Sequence, residues 1–419
     1  MLLITSYKKQ MSNEYFKNII YSEEKITNIV FCIYIFLTTF CNTAWYAFCE
    51  GTIIYALLKI ARYICYALFI VGVIYKFKCR EYSLEGFGYF LLLLVLSFIG
   101  IFTGKDNSLF LTILFFMFIF GMNSQKLLRY ALFIQGGVLF VTVVCSFLGL
   151  TDNSILDFER MRYSLGFSWT TFAPILYLFV SLLFIYFRKN KITLIECIAL
   201  EVINIILYKF TNTKMSFAIT SCVLLIIVFC LLSVQFKHFI KTMMDKLYNI
   251  ILWLPAIGAF LACWLPLYNP TGRFWNSMNA ILSGRLWQCK NAIVEYGFSL
   301  FGKWIPVEVF SVTNHGAADQ TYFIDSGYLH FAMKYGVIML VLLVVMYIIS
   351  IWKAYRTKDY LMIGIFITLS VFCINDIFLI SAFNLFTIYV FCDEDIFIEV
   401  PLFKKIIKKI DMRLKRKES

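Results

Sequence analysis

Charged residues and helix-breaking residues are both scarce in this chain of 419 residues. Only 15% of the residues are Asp, Glu, Lys or Arg, whereas 61% are apolar and the mean hydropathy is +0.80. A soluble domain has about 25% charged residues. This chain has too few charged and too many apolar residues to form a water-soluble globule. Only 6 Pro and 20 Gly interrupt the apolar runs. Because these runs are about twenty residues long and continuous, they predict spanning α-helices rather than an outer-membrane barrel.

Paired cysteines and paired acidic residues suited to a metal are also missing. None of the 13 cysteines stands in a Cys-x-x-Cys pair, and nearly all lie in apolar runs, where a thiol behaves as a small apolar side chain. The segments predicted to lie outside the cell contain no Asp-x-Asp pair. We therefore predict no zinc site, no disulfides, no other metal and no cofactor.

Apolar windows of about nineteen residues predict an all-α, polytopic membrane protein in which residues 1–419 form a single membrane domain. The fourth and the last of twelve candidate spans have the weakest patterns, since one is short and the other contains three acidic residues. The candidate spans are 26–44, 53–75, 84–102, 108–122, 130–150, 169–187, 192–209, 215–234, 248–268, 327–352, 361–379 and 383–400.

Lys and Arg residues are distributed unevenly between the two sides of the predicted membrane. With these spans, 26 of the 38 lie on the side of the N-terminus, nine lie on the opposite side and three lie within helices. Because the cytoplasmic side retains cations, this bias predicts that both the N-terminal segment 1–25 and the basic tail 401–419 are cytoplasmic. The net charge of +13 then indicates contact with anionic membrane lipid rather than with nucleic acid.

One predicted outer connection, residues 269–326 between the ninth and tenth spans, is far longer than an ordinary loop. It contains Trp275, Trp287 and Trp304 among several other aromatic residues, which a disordered linker would lack. We expect one or two short amphipathic helices in this large extracytoplasmic loop, one of them over 283–296.

Four of the few outer cations stand where a phosphate could be bound. Arg162 and Lys214 precede predicted helices whose free amide groups favour an anion, while Arg285 and Lys290 belong to the long loop. Guanidinium binds phosphate oxygens bidentately, so these cations could form one anion-binding cup. Contact with lipid headgroups is the alternative interpretation for each of them.

Two residues on the same side are candidates for a general base. Asp325 stands at the mouth of the tenth span, where it could either accept a proton or cap the helix, and His315 has a suitable intrinsic pKa. Asp376 is a further acidic residue on this side. Within the bilayer, Arg62 and Lys334 are costly to bury and are weaker site candidates.

Several of these residues fit a family pattern when read in order. The pattern has a cation at the start of a mid-chain helix (Lys214), a Gly-Arg before a loop helix (Gly284 and Arg285), and a run with a glycine eleven residues after its first residue (Asp325 to Gly336). RYSLGF at 162–167 resembles a further element of capsule polymerases. With its span number and late loop, the chain thus resembles the Wzy-type O-antigen and capsular polysaccharide polymerases, which share a fold with the O-antigen ligases. It departs from the pattern at Lys214, where the family has arginine, and at Asp325, where the ligases have histidine.

The resemblance implies an enzyme of the bacterial plasma membrane that polymerises undecaprenyl-diphosphate-linked oligosaccharide repeat units on the outer face. Arg285, with Arg162, Lys214 and Lys290, would bind the diphosphate, and Asp325 or, failing it, His315 would deprotonate the acceptor hydroxyl. It also implies a flippase and a chain-length regulator as partners. A glycan ligase and a lipid-linked oligosaccharide flippase or transporter remain alternatives. A transporter is less favoured because it usually has short outer loops and repeated, broken helices.

Overall fold

The computed structural model describes residues 14–78, 84–151, 153, 155–157, 162–268, 272–282, 284–305, 324–381 and 383–392. These residues are mainly helical, with a small antiparallel pair of strands, β1 (Ile155–Asp157) and β2 (Arg162–Tyr163). The helices are α1 (Glu14–Phe40), α2 (Ala44–Phe48), α3 (Ile53–Lys78), α4 (Leu84–Gly104), α5 (Ser108–Phe118), α6 (Ser124–Phe147), α7 (Phe172–Arg188), α8 (Leu194–Thr211), α9 (Lys214–Leu232), α10 (Val234–Lys246), α11 (Tyr248–Trp264), α12 (Arg273–Ile281), α13 (Arg285–Tyr296), α14 (Gly327–Lys334), α15 (Val337–Arg356) and α16 (Tyr360–Phe372). Three 3-10 turns lie at Lys189–Lys191, after α7, at Leu265–Leu267, after α11, and at Leu385–Val390, after α16.

Six helices in the described part of the chain are long and apolar enough to cross a membrane: Ile53–Phe77, Ser124–Phe147, Phe172–Lys191, Lys214–Leu232, Tyr248–Leu267 and Val337–Arg356. These six helices differ widely in burial. In α7 and α15, 67% and 61% of the span is buried, whereas in α3 and α9 only 11% and 17% is buried. Because the exposed side chains of α3 and α9 are mainly apolar, these helices suit a lipid environment, and α7 and α15 form the centre of the protein.

The predicted tenth span, 327–352, is not one helix. It is divided into α14 and α15 at Gly336, whose φ of +98° lies in the left-handed region. The loop segment 299–303 packs against this break: Val337 donates its amide to the Ser299 carbonyl at 3.0 Å, and Lys303 donates to Met333 at 3.2 Å. A Cβ at Gly336 would overlap the Leu300 carbonyl. The apolar pattern resumes directly after Lys334 and Gly336, so a window of about nineteen residues does not reveal the break.

The end of the chain also differs from the predicted last two spans. Helix α16 ends at Phe372 instead of continuing to 379, and residues 383–392 contain the 3-10 turn Leu385–Val390 instead of an α-helix. The side chain of Asn384 donates to the Tyr347 hydroxyl at 2.8 Å and to the Phe378 carbonyl at 2.9 Å. Irregular backbone is tolerated at membrane depth where protein surrounds it, and these residues are almost completely buried.

Two other predicted elements need correction. The fourth span, 108–122, is the helix α5 of 11 residues, about 16 Å long, which is too short to cross the bilayer alone. Between α9 and α11 lies α10, a helix without buried residues that the apolar windows did not predict.

The described part of the long loop contains the two short helices α12 and α13. The second covers most of the predicted helix at 283–296, and Leu286 and Ile293 form its buried face. His315 and the basic tail 401–419 lie outside the described residues.

Candidate functional site

Helix α14 is capped by Ser326 rather than by Asp325. The Ser326 side chain accepts the Leu329 amide at 3.5 Å, so the capping role that the sequence left open for Asp325 belongs to its neighbour. The carboxylate of Asp325 instead points to the loop helix α13. It is therefore available for electrostatic or chemical work at the mouth of α14.

Arg285, the first residue of α13, joins three parts of the chain. Its Nε lies 2.7 Å from Asp325 Oδ2, and its Nη1 donates to the Asn375 carbonyl, just after α16, at 2.6 Å. The Arg285 and Asp325 side chains are 24% and 38% exposed, so the pair remains open to solvent. A guanidinium has five N–H donors, and these two partners leave three for another ligand such as a phosphate.

A second carboxylate, Asp376, belongs to the same group of charges. Burial raises its pKa, the Arg285 guanidinium lowers it, and the negative charge of Asp325 raises it again, so that its pKa is about 7. Asp376 lies beyond the end of α16 and is partly buried. The three side chains Arg285, Asp325 and Asp376 are called the Arg285 cluster below.

A different ion pair holds the other end of α14. Lys334, its last residue, lies 2.6 Å from Asp106 in the turn between α4 and α5, and Tyr335 donates its hydroxyl to the same oxygen at 2.7 Å. Asp106 also accepts the Ser108 amide at 2.8 Å. Although burial raises the pKa of Asp106, its bonds to Lys334, Ser108 and Tyr335 lower it well below the ordinary value. Lys334 is thus the last residue of α14, next to the break before α15, and not a residue inside one continuous helix.

Arg162 and Lys214 lie close together at the turn between α8 and α9. Arg162 is on β2 and not at the start of the next span, because residues 164–171 form a turn before α7 begins at Phe172. Its Nε donates to the Thr211 carbonyl at 2.9 Å, and a second nitrogen donates to Thr213 Oγ1 at 3.4 Å. Lys214 is the exposed first residue of α9. Arg162 thus does not stand at the N-terminus of α7, where the sequence placed it, and it bonds instead to the turn that precedes α9, where Lys214 is the first helical residue.

Two other candidates lie in different surroundings. Lys290 is five residues after Arg285 on α13, which places it about 140° around the helix from Arg285. The two cations of α13 therefore do not lie on one face. Arg62, in α3, donates to the Tyr46 hydroxyl at 2.7 Å, so a tyrosine of α2 satisfies this intramembrane cation.

Asp106 is the one member of the ion pairs Arg285–Asp325 and Lys334–Asp106 that the sequence did not indicate. Asp376 was only one of several acidic candidates. Asp106 stands in a Lys-Asp-Asn turn that reads as an ordinary polar loop, and Asp376 fell inside a predicted span. An acidic residue next to the end of an apolar run was the available signal for both.

Other features of the described residues do not add to the site. In that part of the chain no group of three His, Cys, Asp or Glu side chains could hold a metal, and the twelve cysteines there are free. A groove between α1 and α6, lined by Glu24, Asn28, Lys126 and Tyr130 among others, shares no residue with the Arg285 cluster.

Comparisons of this chain with protein-family models, with curated proteins and with solved structures give no match.

Proposed function

We propose that this chain is a membrane glycosyltransferase that polymerises undecaprenyl-diphosphate-linked oligosaccharide repeat units into a surface polysaccharide. The growing chain would be transferred from its lipid diphosphate to a hydroxyl of the incoming unit. In this proposal the reaction takes place at the outer face of a bacterial plasma membrane, with both termini in the cytoplasm. The acidic and basic groups of the Arg285 cluster are the observation that carries it.

Arg285 supports the role of diphosphate ligand. Its guanidinium is oriented by Asp325 and by the Asn375 carbonyl, yet it is 24% exposed and keeps three N–H donors for phosphate oxygens. A cation fixed in advance stabilises the negative charge that grows on a leaving diphosphate without needing to reorganise. Arg162, Lys214 and Lys290 would extend the positive field around the substrate.

A proton acceptor is also needed, because the acceptor sugar must lose its hydroxyl proton. The two candidates from the sequence are Asp325 and His315, and Asp325 stands directly beside Arg285. A carboxylate next to a bound lipid diphosphate has suitable chemistry for this task. Aromatic residues of the long loop, such as the exposed Trp287 and Trp304, would stack on sugar rings.

The helix break at Gly336 raises the alternative of a transporter, since transporters often contain discontinuous helices. Helix α15 alone has 20 residues and is about 30 Å long, which is the thickness of the hydrocarbon core. If α15 is the span, the break would lie at its edge and not at the midplane, where transporters place their binding sites. A glycan ligase would use the same cluster with another acceptor.

The proposal is tested with purified protein in lipid nanodiscs and lipid-linked repeat units extracted from its host cells. We expect a ladder of polymer with the wild type and at least about 100-fold less with Arg285→Ala. The matched control is Arg273→Ala, which removes the exposed arginine that begins the neighbouring helix α12. A normal ladder from Arg285→Ala at equal protein levels would contradict the assigned role.

Deletion in the host cell separates the alternatives. Loss of a polymerase leaves single repeat units outside the plasma membrane, whereas loss of a flippase leaves them inside. Loss of a ligase leaves long polymer attached to the lipid carrier. Only the first outcome agrees with the proposal.

A further inference from the structure

We propose that Asp376 is the acid–base residue of this site and that Asp325 is a positioning residue that holds Arg285. The inference rests on the proposed polymerase function and names the group that takes the proton. It is carried by the way the end of α16 is bound to the start of α14.

The turn that bears Asp376 is fixed from two sides. Gly327, the first residue of α14, donates its amide to the Cys373 carbonyl at 3.0 Å, and Arg285 donates to the Asn375 carbonyl at 2.6 Å. A Cβ at position 327 would overlap the Asp376 carbonyl, so only glycine permits this close approach. Asp376 is therefore held beside the ion pair by backbone contacts that do not involve its own carboxylate.

The groups that face Asp376 come from three elements. Arg285 faces Asp376 from α13, and Asp325 faces it from the segment just before α14. The Cys373 thiol lies at the end of α16. Burial raises the pKa of Asp376, Arg285 lowers it and Asp325 raises it, which gives a pKa of about 7. This carboxyl therefore holds its proton to a higher pH than an ordinary aspartate does.

Asp325 and Asp376 therefore have different tasks. One oxygen of Asp325 is already bound to Arg285 at 2.7 Å, and this ion pair fixes the guanidinium at the start of α13. A carboxyl with a pKa near the working pH is the more effective proton carrier.

The chemical step balances with Asp376 as the base. The acceptor hydroxyl oxygen forms a bond to the anomeric carbon of the donor while its proton passes to the Asp376 carboxylate. The bond between the anomeric carbon and the diphosphate oxygen breaks, and the lipid diphosphate leaves with that electron pair beside Arg285. Asp376 then releases its proton to water before the next cycle.

The first experiment does not depend on enzymatic activity. Infrared difference spectra of the purified protein in nanodiscs are recorded between pH 6 and about pH 8, a range in which ordinary carboxyl groups are already ionised. We expect a protonated carboxyl band that disappears as the pH rises and that is absent from Asp376→Asn. In Asp325→Asn the midpoint should move about one unit lower, because a negative neighbour is lost. A wild-type spectrum without this band overturns the inference.

The second experiment measures polymer synthesis against pH. Asp376→Asn should lose at least about 100-fold in kcat, the usual contribution of a general base. Asp325→Asn should retain measurable activity with its pH midpoint shifted lower, whereas Asp376→Glu should retain partial activity. The matched control is Asp245→Asn, which alters a carboxylate on α10 near the opposite end of α16.

The outcomes separate the two proposals. A titrating carboxyl in a protein that makes no polymer from lipid-linked repeat units would overturn the polymerase function and leave Asp376 as the proton-holding group. Polymer synthesis with a normal rate and pH profile in Asp376→Asn would overturn the inference and leave the function standing. Complete loss of activity in Asp325→Asn, with Asp376→Asn still active, would make Asp325 the base.

Discussion

The two ends of α14 carry ion pairs of similar length whose carboxylates have different surroundings. At its C-terminal end, Asp106 accepts bonds from Lys334, Tyr335 and Ser108 and has a lowered pKa. At its N-terminal end, Asp325 pairs with Arg285 next to the partly buried Asp376, whose pKa is raised to about 7. A carboxylate with both oxygens bonded suits a structural connection. An acid with a pKa near the working pH suits chemistry.

The largest expected effect is on polymer synthesis, and it should distinguish Arg285 from Lys334. Arg285→Lys keeps the charge but loses the planar fork that binds two phosphate oxygens, so we expect a loss of about 100-fold in kcat/KM for polymer synthesis. Lys334→Arg keeps an ion pair with Asp106 and should stay within about twofold of wild type. Polymer formed in nanodiscs from lipid-linked repeat units is the measurement. Equal losses in both variants would show that the two ends do not differ in function.

Removal of the carboxylate should affect stability in the opposite order, with a larger loss at Asp106 than at Asp325. Asp106→Ala leaves the ammonium of Lys334 and the hydroxyl of Tyr335 without their shared acceptor, which should lower the free energy of unfolding by about 2 kcal/mol. Asp325→Ala breaks a more exposed pair and should cost about 0.5 kcal/mol. Thermal unfolding in the same detergent at pH 7 measures both. A larger loss in Asp325→Ala would reverse the assignment of the structural pair.

The dependence of stability on pH should also differ between the two ends. The fold raises the pKa of Asp376 to about 7, so the folded protein retains a proton that the unfolded chain has released. The stability linked to Asp376 is present at low pH and is lost as the pH rises through 7. Asp106 behaves in the opposite sense: its stabilisation is present above the ordinary carboxyl pKa and is lost as the pH falls.

We therefore expect the wild type to lose about 2 kcal/mol more than Asp376→Asn between pH 5 and pH 8, after allowance for solvent screening. Melting temperatures of the two proteins across this range provide the measurement. Parallel curves would show that Asp376 does not titrate in the folded protein. Asp106→Asn is the control, because it should alter the acidic side of the curve.

Hydropathy predicted part of this fold, and its limits are physical. Apolar windows indicate where chain can be buried, and they located long apolar helices such as α3, α9 and α15. They could not separate α14 from α15, because Gly336 interrupts the helix without interrupting the apolar pattern. They also could not distinguish a spanning helix from the buried 3-10 turn Leu385–Val390, since both are apolar on every side.

The candidate site was predictable only in part for a related reason. The sequence identified Arg285 and Asp325, whose contact at 2.7 Å joins residues forty positions apart. Residue spacing did not indicate that the end of α16 returns to this pair, because that approach depends on close packing of Gly327 against the backbone of Asp376. For the same reason Asp106 was not expected to bind Lys334. Such contacts follow from tertiary packing and leave no local pattern in the sequence.

The smallest effect is expected at Lys214, which tests how far the site extends from α14. Lys214 is exposed, and the neighbouring Arg162 bonds with the carbonyl that ends α8 and with Thr213. A solvated ammonium contributes mainly a long-range field, so Lys214→Gln should raise KM about threefold and leave kcat unchanged. The increase should diminish at high salt, whereas the loss in Arg285→Lys should persist because it depends on bond geometry. A fall in kcat as large as that of Arg285→Lys would move the centre of the site from the mouth of α14 to the start of α9.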